Sequence, residues 1–184
     1  FIVRFDGTLE EKWTDHGMET IYHNAREVEA VAYDMMVSGK DSDSVSTLRL
    51  WRARSVQKFD MQLFSQGNYA EVMREDTEAQ LISKVLYPSD NHYEGKSLRL
   101  QQQYFLVSAS LQCIVSDHKR RYGSLSLLPQ MAAIHINDTH PALAIPELMR
   151  ILVDENYFSW EVARNITTST CAYTNHTVLA EALE

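Results

Sequence analysis

Cysteines, metal-ligand motifs and long apolar runs are all scarce in this sequence. It contains two cysteines in 184 residues, and no Cys-x-x-Cys or His-Glu-x-x-His spacing occurs, so neither a structural zinc site nor a metalloprotease centre is predicted. No apolar run approaches the roughly 18 residues that span a bilayer. The chain does not open with a signal-peptide pattern. We therefore expect a cytoplasmic protein with reduced thiols, no bound metal and no membrane contact.

Positive charge is also low. Lysine and arginine number 17 against 25 acidic residues, which gives a formal net charge of −8. The densest basic run, 119–121, falls at the end of a predicted helix, where cations interact favourably with the helix dipole. Because nucleic-acid surfaces need clustered positive charge, no nucleic-acid partner is expected.

The first third of the chain has the patterning of β-strands. Apolar and polar side chains alternate in 1–5, 27–33 and 45–51, as they do in half-buried strands. The segment 38–44 is rich in turn-forming residues and separates the last two strands. We therefore predict an antiparallel β meander over 1–59.

Helices and βα units are predicted for 60–184. Apolar residues recur at helical spacing over 68–85 and again over 98–115. The run 131–136 is typical of a buried parallel strand, and 170–174 has residues that favour a β-strand; each is followed by a polar turn. Further helices are expected at 142–154 and 161–169. The fold class is α/β, and we treat 1–184 as a single partial domain.

Three short polar clusters follow or join these elements, at 89–92, 137–140 and 175–177. Their Asn, Asp and His side chains can both donate and accept hydrogen bonds, which suits the hydroxyl groups of a sugar. Two of the clusters follow predicted strands, where open α/β sheets bind ligands. Taken alone, each cluster is equally explained by turn formation or helix capping.

Motifs for other chemistries are weak. There is no Gly-x-Ser-x-Gly nucleophile elbow and no glycine-rich phosphate loop. Residue types that bind metals are present without a recognised ligand spacing, at His135, Asp138, His140 and His176. A carboxylate pair for glycoside hydrolysis that includes Asp90 stays open. The residues by themselves indicate an α/β chain with a surface for a carbohydrate or another polar ligand.

Three longer motifs occur in order along the chain. The first, within 85–105, contains Tyr-Pro-Ser-Asp-Asn and then Glu-Gly-Lys. The second, 137–150, is Asn-Asp-Thr-His-Pro-Ala-Leu-Ala-Ile-Pro-Glu-Leu-Met-Arg, and the third, 170–179, is Thr-Cys-Ala-Tyr-Thr-Asn-His-Thr-Val-Leu. Together they resemble the glycogen/maltodextrin (α-1,4-glucan) phosphorylase family. The resemblance implies an internal piece of the N-terminal, Rossmann-like half of a two-domain (GT-B type) glucosyltransferase.

The resemblance also implies an activity for the parent enzyme. Phosphate would cleave the terminal α-1,4 linkage of a glucan, and glucose 1-phosphate would leave in a reversible phosphorolysis. Pyridoxal phosphate would assist in the parent enzyme, but its lysine and the phosphate-binding residues would belong to the C-terminal half. We therefore expect no cofactor on this piece and no activity from it alone. The helix at 68–85 is similar to the family's dimer-contact helix, so the parent is expected to be a homodimer.

Functional residues follow from the same motifs. His176 is similar to the histidine whose side chain meets the O6 hydroxyl of glucose and whose carbonyl faces the reacting carbon. Asp90 and Asn91 resemble the substrate-binding residues of the gate loop, which would be 87–95 here. A fixed carbonyl dipole and preorganised polar groups would stabilise an oxocarbenium-like transition state.

The remaining substrate-binding residues implied by the resemblance are Asp138 and His140, near the neighbouring sugar, and Asn175 beside the catalytic histidine. Ser116 and Asp117 stand where the regulated animal enzymes have an arginine pair for a nucleotide effector. Because an acidic residue repels phosphate, nucleotide activation through that position is not expected. The alternative to a piece of an enzyme is a non-catalytic carbohydrate-binding or interaction module.

Overall fold

The computed structural model describes residues 1–15 and 17–176. In chain order, its elements are β1 (Ile2–Phe5), β2 (Thr8–Thr14), β3 (Gly17–His23), β4 (Arg26–Ser38), β5 (Val45–Ser55), α1 (Met61–Ser65), α2 (Tyr69–Lys84), α3 (Tyr93–Tyr122), α4 (Leu128–Met131), β6 (Ile134–Asn137), α5 (Ala144–Arg150), α6 (Trp160–Thr170) and β7 (Cys171–Thr174). A 3₁₀ turn, Leu125–Leu127, precedes α4, and a π-helical turn, Ile151–Glu155, extends α5.

The chain forms two compact units, and each is discontinuous in sequence. The first unit comprises Phe1–Asp6 and Ala25–Gln102, and the second comprises Gly7–Asn24 and the chain from Gln103 onward. The α/β class predicted from the sequence is confirmed, with antiparallel sheets near the start and a parallel strand pair near the end.

The sheet of the first unit has three antiparallel strands in the order β1-β4-β5. Val3 lies opposite Val28, and Ala30 lies opposite Ala53. Because side chains alternate between the two faces of a strand, this register gathers these four apolar side chains in the buried part of the sheet. All four are at most 3% exposed.

A hairpin that the sequence did not predict interrupts the meander expected over 1–59. β2 and β3 pair with each other in a separate two-stranded sheet, which belongs to the second unit. Asp6, Gly7 and Asn24 adopt positive φ angles of 58°, 88° and 54° at the points where the chain leaves and rejoins the first sheet. These residue types tolerate that conformation. The prediction of antiparallel strands is therefore confirmed, and their continuity was wrong.

The predicted helix over 68–85 is confirmed as α2. Its C-terminal half packs on β5, where Ala79 and Ile82 are buried. The hydroxyl of Ser83 accepts a hydrogen bond of 2.9 Å from the backbone N–H of Ala53. Apolar side chains are exposed at both ends of the helix, at Tyr69 and Met73 near its start and at Leu81 and Val85 near its end.

The core of the second unit is built from helices packed around the β6–β7 pair. Leu128, Leu148 and Leu152 are fully buried, and Ile136 from β6 joins the same cluster. β6 and β7 pair in parallel, which agrees with the buried parallel strand predicted within 131–136 and with the strand predicted at 170–174. β6 begins later than the predicted 131–136, because Met131 is the last residue of α4.

A buried ion pair ties the helices of the second unit together. Glu147 is 3% exposed, and its two carboxylate oxygens accept hydrogen bonds of 2.7 and 2.9 Å from Arg150. Ser108 donates to the same carboxylate at 2.6 Å, and Tyr104 donates at 3.2 Å. Burial opposes the charge on Arg150, but the hydrogen bonds that it donates to Glu147 and the charges of its acidic neighbours Glu147 and Glu155 raise its pKa overall. Arg150 therefore stays protonated, and the hydrogen bonds to Glu147 link α3 to α5.

The β2–β3 hairpin joins this network through Tyr22. Its hydroxyl donates a 2.8 Å hydrogen bond to Asp154, and Arg150 lies 6.0 Å from the centre of its ring. Burial, the hydrogen bond to Asp154 and the charge of that carboxylate raise the pKa of Tyr22 to about 12. The phenol therefore remains a hydrogen-bond donor at neutral pH.

Candidate functional site

Two of the three polar clusters meet at one edge of the second unit. The parallel register places Asn137, the last residue of β6, opposite Thr174, the last residue of β7. The turns that follow carry Asp138 on one strand, and Asn175 and His176 on the other. The structure therefore brings these predicted residues together, as expected for neighbouring parallel strands.

Asp138 shapes the turn after β6. It adopts a left-handed conformation with φ 63°, and its backbone N–H donates a 2.7 Å hydrogen bond to the carbonyl of Thr174. One carboxylate oxygen accepts the N–H of Thr139 at 2.8 Å, and the residue is only 8% exposed. Asp138 thus has a structural role in the turn, whereas His140 beyond it is half-buried.

His176 is exposed at this edge and contacts Asn137, which the sequence placed in the polar cluster 137–140 without a role of its own. The Nε2 of His176 lies 2.7 Å from the side-chain oxygen of Asn137. One step back along the two strands, the Nε2 of His135 is hydrogen-bonded to the hydroxyl of Thr174. The sequence could indicate Asn137 only by its position as the last strand residue before the Asp-Thr-His turn. It could not indicate the contact with His176, which is 39 positions away.

The gate-loop residues belong to the first unit. Asp90 is anchored by Arg99 of α3 through a 3.0 Å ion pair. The guanidinium of Arg99 also lies 5.3 Å from the centre of the Tyr87 ring, a cation–π contact. Asn91 is exposed. The sequence identified Asp90 and Asn91 but missed the arginine that fixes the loop.

Gly95 allows the gate loop to fold back on the start of α3, which begins at Tyr93, inside the predicted loop 87–95. A Cβ added at Gly95 would overlap the backbone carbonyl of Ser89. The N–H of Gly95 donates a 3.0 Å hydrogen bond to Nδ1 of His92. Glycine is therefore required at this position by a close backbone approach.

Replacing Gly95 by alanine in the full-length protein is expected to displace the loop, because a backbone carbonyl cannot swing aside as a side chain can. We expect faster hydrogen exchange of the backbone amides in 87–95, measured by mass spectrometry. Lys96→Ala, at the exposed neighbouring position, is the matched control. Unchanged exchange in Gly95→Ala would show that the loop does not depend on the close backbone approach at Gly95.

Three surface cavities, of about 590, 440 and 390 Å³, lie in the first unit beside β5 and α2. None of the predicted site residues lines any of these three cavities. Among residues 1–15 and 17–176, no group of three or more His, Cys, Asp or Glu side chains could hold a metal ion, and no helix is long and apolar enough to cross a membrane.

A parallel strand pair with polar residues at its carboxyl ends is the arrangement at which open α/β sheets bind ligands. The carbohydrate phosphorylase family model matches residues 1–184. The chain therefore belongs to the carbohydrate phosphorylase family, and the resemblance found in the sequence motifs is confirmed.

Relatives of this chain include bacterial and animal proteins named glycogen phosphorylase. That of Pasteurella multocida (strain Pm70) is 47% identical over 182 residues, which are 99% of this chain and 22% of the relative. The protein of Haemophilus influenzae is 46% identical over the whole chain, again 22% of the relative. The brain form of Bos taurus is 50% identical over 163 residues, 84% of this chain and 19% of the relative. The chain thus spans about a fifth of the length of these proteins.

Proposed function

We propose that this chain is part of an α-1,4-glucan phosphorylase, which releases glucose 1-phosphate from glycogen or maltodextrin by reversible phosphorolysis. The observation that carries the proposal is the meeting of Asn137, Asn175 and His176 at the carboxyl ends of β6 and β7. These polar groups lie where a sugar would be bound, in a chain that matches proteins named glycogen phosphorylase.

His176 is the catalytic-site residue of this proposal. Its exposed ring would meet the O6 hydroxyl of the reacting glucose, and its backbone carbonyl would face the reacting carbon. Asn175 precedes it, and His140 would contact the neighbouring sugar. Asp138 would act there mainly by shaping the turn, because one of its oxygens already accepts the Thr139 N–H and its side chain is nearly buried.

The gate loop would supply the second group of sugar contacts. Asn91 is exposed and has an amide that can both donate and accept. Asp90 is partly engaged by Arg99, with 33% of its side chain exposed. We therefore assign the direct hydrogen bond to Asn91, and assign Asp90 to holding the loop against α3 while offering its remaining oxygen to the sugar.

The chain's own residues do not fit a pyridoxal phosphate site. The cofactor would need a lysine whose amine is activated by a desolvated pocket or a neighbouring cation, and every lysine of the chain is exposed: Lys12, Lys40, Lys58, Lys84, Lys96 and Lys119. The proposal therefore places the cofactor lysine and the phosphate-binding residues in another part of the parent enzyme, the C-terminal half of a GT-B architecture whose Rossmann-like N-terminal half contains this chain.

The same proposal covers assembly, regulation and location. The parent would be a homodimer through the helix predicted at 68–85, and Tyr69, Met73 and Leu81 are apolar side chains on α2 that are exposed. Nucleotide activation would be absent at Ser116 and Asp117, since Asp117 is ion-paired with Arg120 and adds negative charge. Cys113 and Cys171 are thiols, the form usual for cysteines in the cytoplasm.

The proposed activity is tested by comparing the full-length protein with the 184-residue chain. With maltodextrin, phosphate and pyridoxal phosphate, the full-length protein is expected to release glucose 1-phosphate and the chain alone to release none. Absence of phosphorolysis by the full-length protein would refute the activity. Turnover by the chain alone would refute the division of the site between two halves.

A non-catalytic sugar-binding module makes the opposite prediction for binding. Half of a cleft offers few of the contacts needed to offset the entropy lost on association. Titration calorimetry of the 184-residue chain with maltodextrin is therefore expected to give no measurable heat of binding, whereas tight binding by the chain alone would favour the module.

A further inference from the structure

Asn137 and His176 are held opposite each other by the backbone, not only by their own contact. Asn137 ends β6 in register with Thr174, and the next residue on its strand, Asp138, donates its N–H to the Thr174 carbonyl at 2.7 Å. His176 lies two residues beyond Thr174. The strand pairing therefore fixes the Asn137 amide 2.7 Å from Nε2 of the ring.

The contact determines which ring nitrogen carries the proton. The group that faces the ring is the amide oxygen of Asn137, which can only accept a hydrogen bond. Nε2 must therefore carry the hydrogen. In a neutral imidazole the other nitrogen, Nδ1, then has its lone pair available as an acceptor.

We propose that Asn137 is a positioning residue that fixes the tautomer and orientation of His176, so that Nδ1 accepts a hydrogen bond from the O6 hydroxyl of the reacting glucose. The inference rests on the proposed function, which assigns the O6 contact to His176. It adds a specificity role, because a sugar that lacks the O6 hydroxyl cannot donate a hydrogen bond to Nδ1.

The chemistry of the two partners supports this division of roles. A histidine ring on an exposed strand end could otherwise rotate or exchange tautomers, and each alternative would present a donor or no group at all to the hydroxyl. A neutral amide constrains the ring without placing a formal charge beside it. Asn137 therefore acts through His176, and it need not touch the sugar.

The test compares two substrates across several variants of the full-length enzyme. The reaction is run in the synthetic direction with maltodextrin as acceptor. Glucose 1-phosphate and 6-deoxyglucose 1-phosphate are compared as donors for the unaltered enzyme, Asn137→Ala and Asn137→Asp. With glucose 1-phosphate, Asn137→Ala is expected to lower kcat/KM by about tenfold, the loss of one oriented hydrogen bond. With the 6-deoxy donor, the same substitution should lower it by less than about twofold, because the affected contact is already missing.

Two variants control the comparison. Asn137→Asp keeps an acceptor oxygen at the same length, but its charge favours an imidazolium whose Nδ1 cannot accept. Its preference for the O6 hydroxyl should therefore lie between those of the unaltered enzyme and Asn137→Ala. Asn165→Ala removes an exposed asparagine from α6 and should leave both donors unaffected. Equal losses with both donors in Asn137→Ala would overturn the proposal, because a general structural disturbance does not depend on O6.

His176→Ala separates failure of this inference from failure of the proposed function. If His176→Ala loses the preference for O6 and Asn137→Ala keeps it, the positioning role is wrong and the sugar contact stands. If His176→Ala keeps the full preference, the O6 contact itself is wrong, and the inference falls with it.

Discussion

Replacing His176 by alanine in the full-length enzyme is expected to lower kcat by about 10²- to 10³-fold, the usual effect of removing one preorganised polar group from a catalytic centre. The ring is held in place by Asn137 at an exposed strand end. The ring is therefore oriented before substrate binds, and its proposed hydrogen bond to the sugar would stabilise the transition state. The measurement is the initial rate of glucose 1-phosphate release at saturating glucan and phosphate.

Glucan binding away from the reacting end should change little in His176→Ala, which sedimentation with insoluble glucan can measure. His135→Ala is the matched control, because this exposed histidine lies on β6 and is hydrogen-bonded to Thr174 but has no proposed role. We expect it to retain kcat within about threefold, less than 1 kcal/mol. Similar small effects of His176→Ala on turnover and on glucan binding would contradict the assigned role.

Replacing Glu147 by alanine is expected to destabilise the second unit by about 3 kcal/mol, the lower end of the usual cost of removing one partner of a buried ion pair. The substitution removes two hydrogen bonds from Arg150, whose largely buried charge keeps its ion pair with Glu155. Ser108 and Tyr104 lose their acceptor as well. Hydrogen exchange of the amides in α3 and α5, followed by mass spectrometry on the full-length protein, measures the loss locally.

A double substitution separates the charge from the space that it fills. Glu147→Leu with Arg150→Met replaces the pair by apolar side chains of similar volume, and such replacements are often neutral or stabilising. It should therefore exchange more slowly than Glu147→Ala. Faster exchange in the double variant than in Glu147→Ala would mean that the pair itself, and not the arginine charge left behind by Glu147→Ala, determines the stability of this region.

Periodicity predicted β4, β5 and α2, which all carry apolar residues at regular spacing. The spacing coincides with burial in α2 and in the first part of β4, but the predicted part of β5, 45–51, is largely exposed. β2 was missed because its sequence, Thr-Leu-Glu-Glu-Lys-Trp-Thr, does not alternate regularly between apolar and polar residues. Its side chains are almost all exposed, including Trp13 at 79%.

The candidate site divides in the same way. His176, Asn91 and Asp90 were identified because they occur in contiguous motifs of a known family. The roles of Asn137 and Arg99 were not predicted, because each role depends on a contact that a motif does not encode. One depends on the register of two strands that are distant in sequence, and the other on a loop that folds back over a glycine.

The interleaving of the two units affects how the protein can form during its synthesis. All segments of the first unit have been translated once Gln102 has been added, whereas β2 and β3 must wait for partners encoded much later. Tyr22 and Asp154 are 132 positions apart, which at about 5–20 residues per second is a delay of roughly 7 to 26 s. A two-stranded hairpin is marginally stable by itself, so β2 and β3 would leave the ribosome early and stay exposed to chaperones and proteases until α5 emerges.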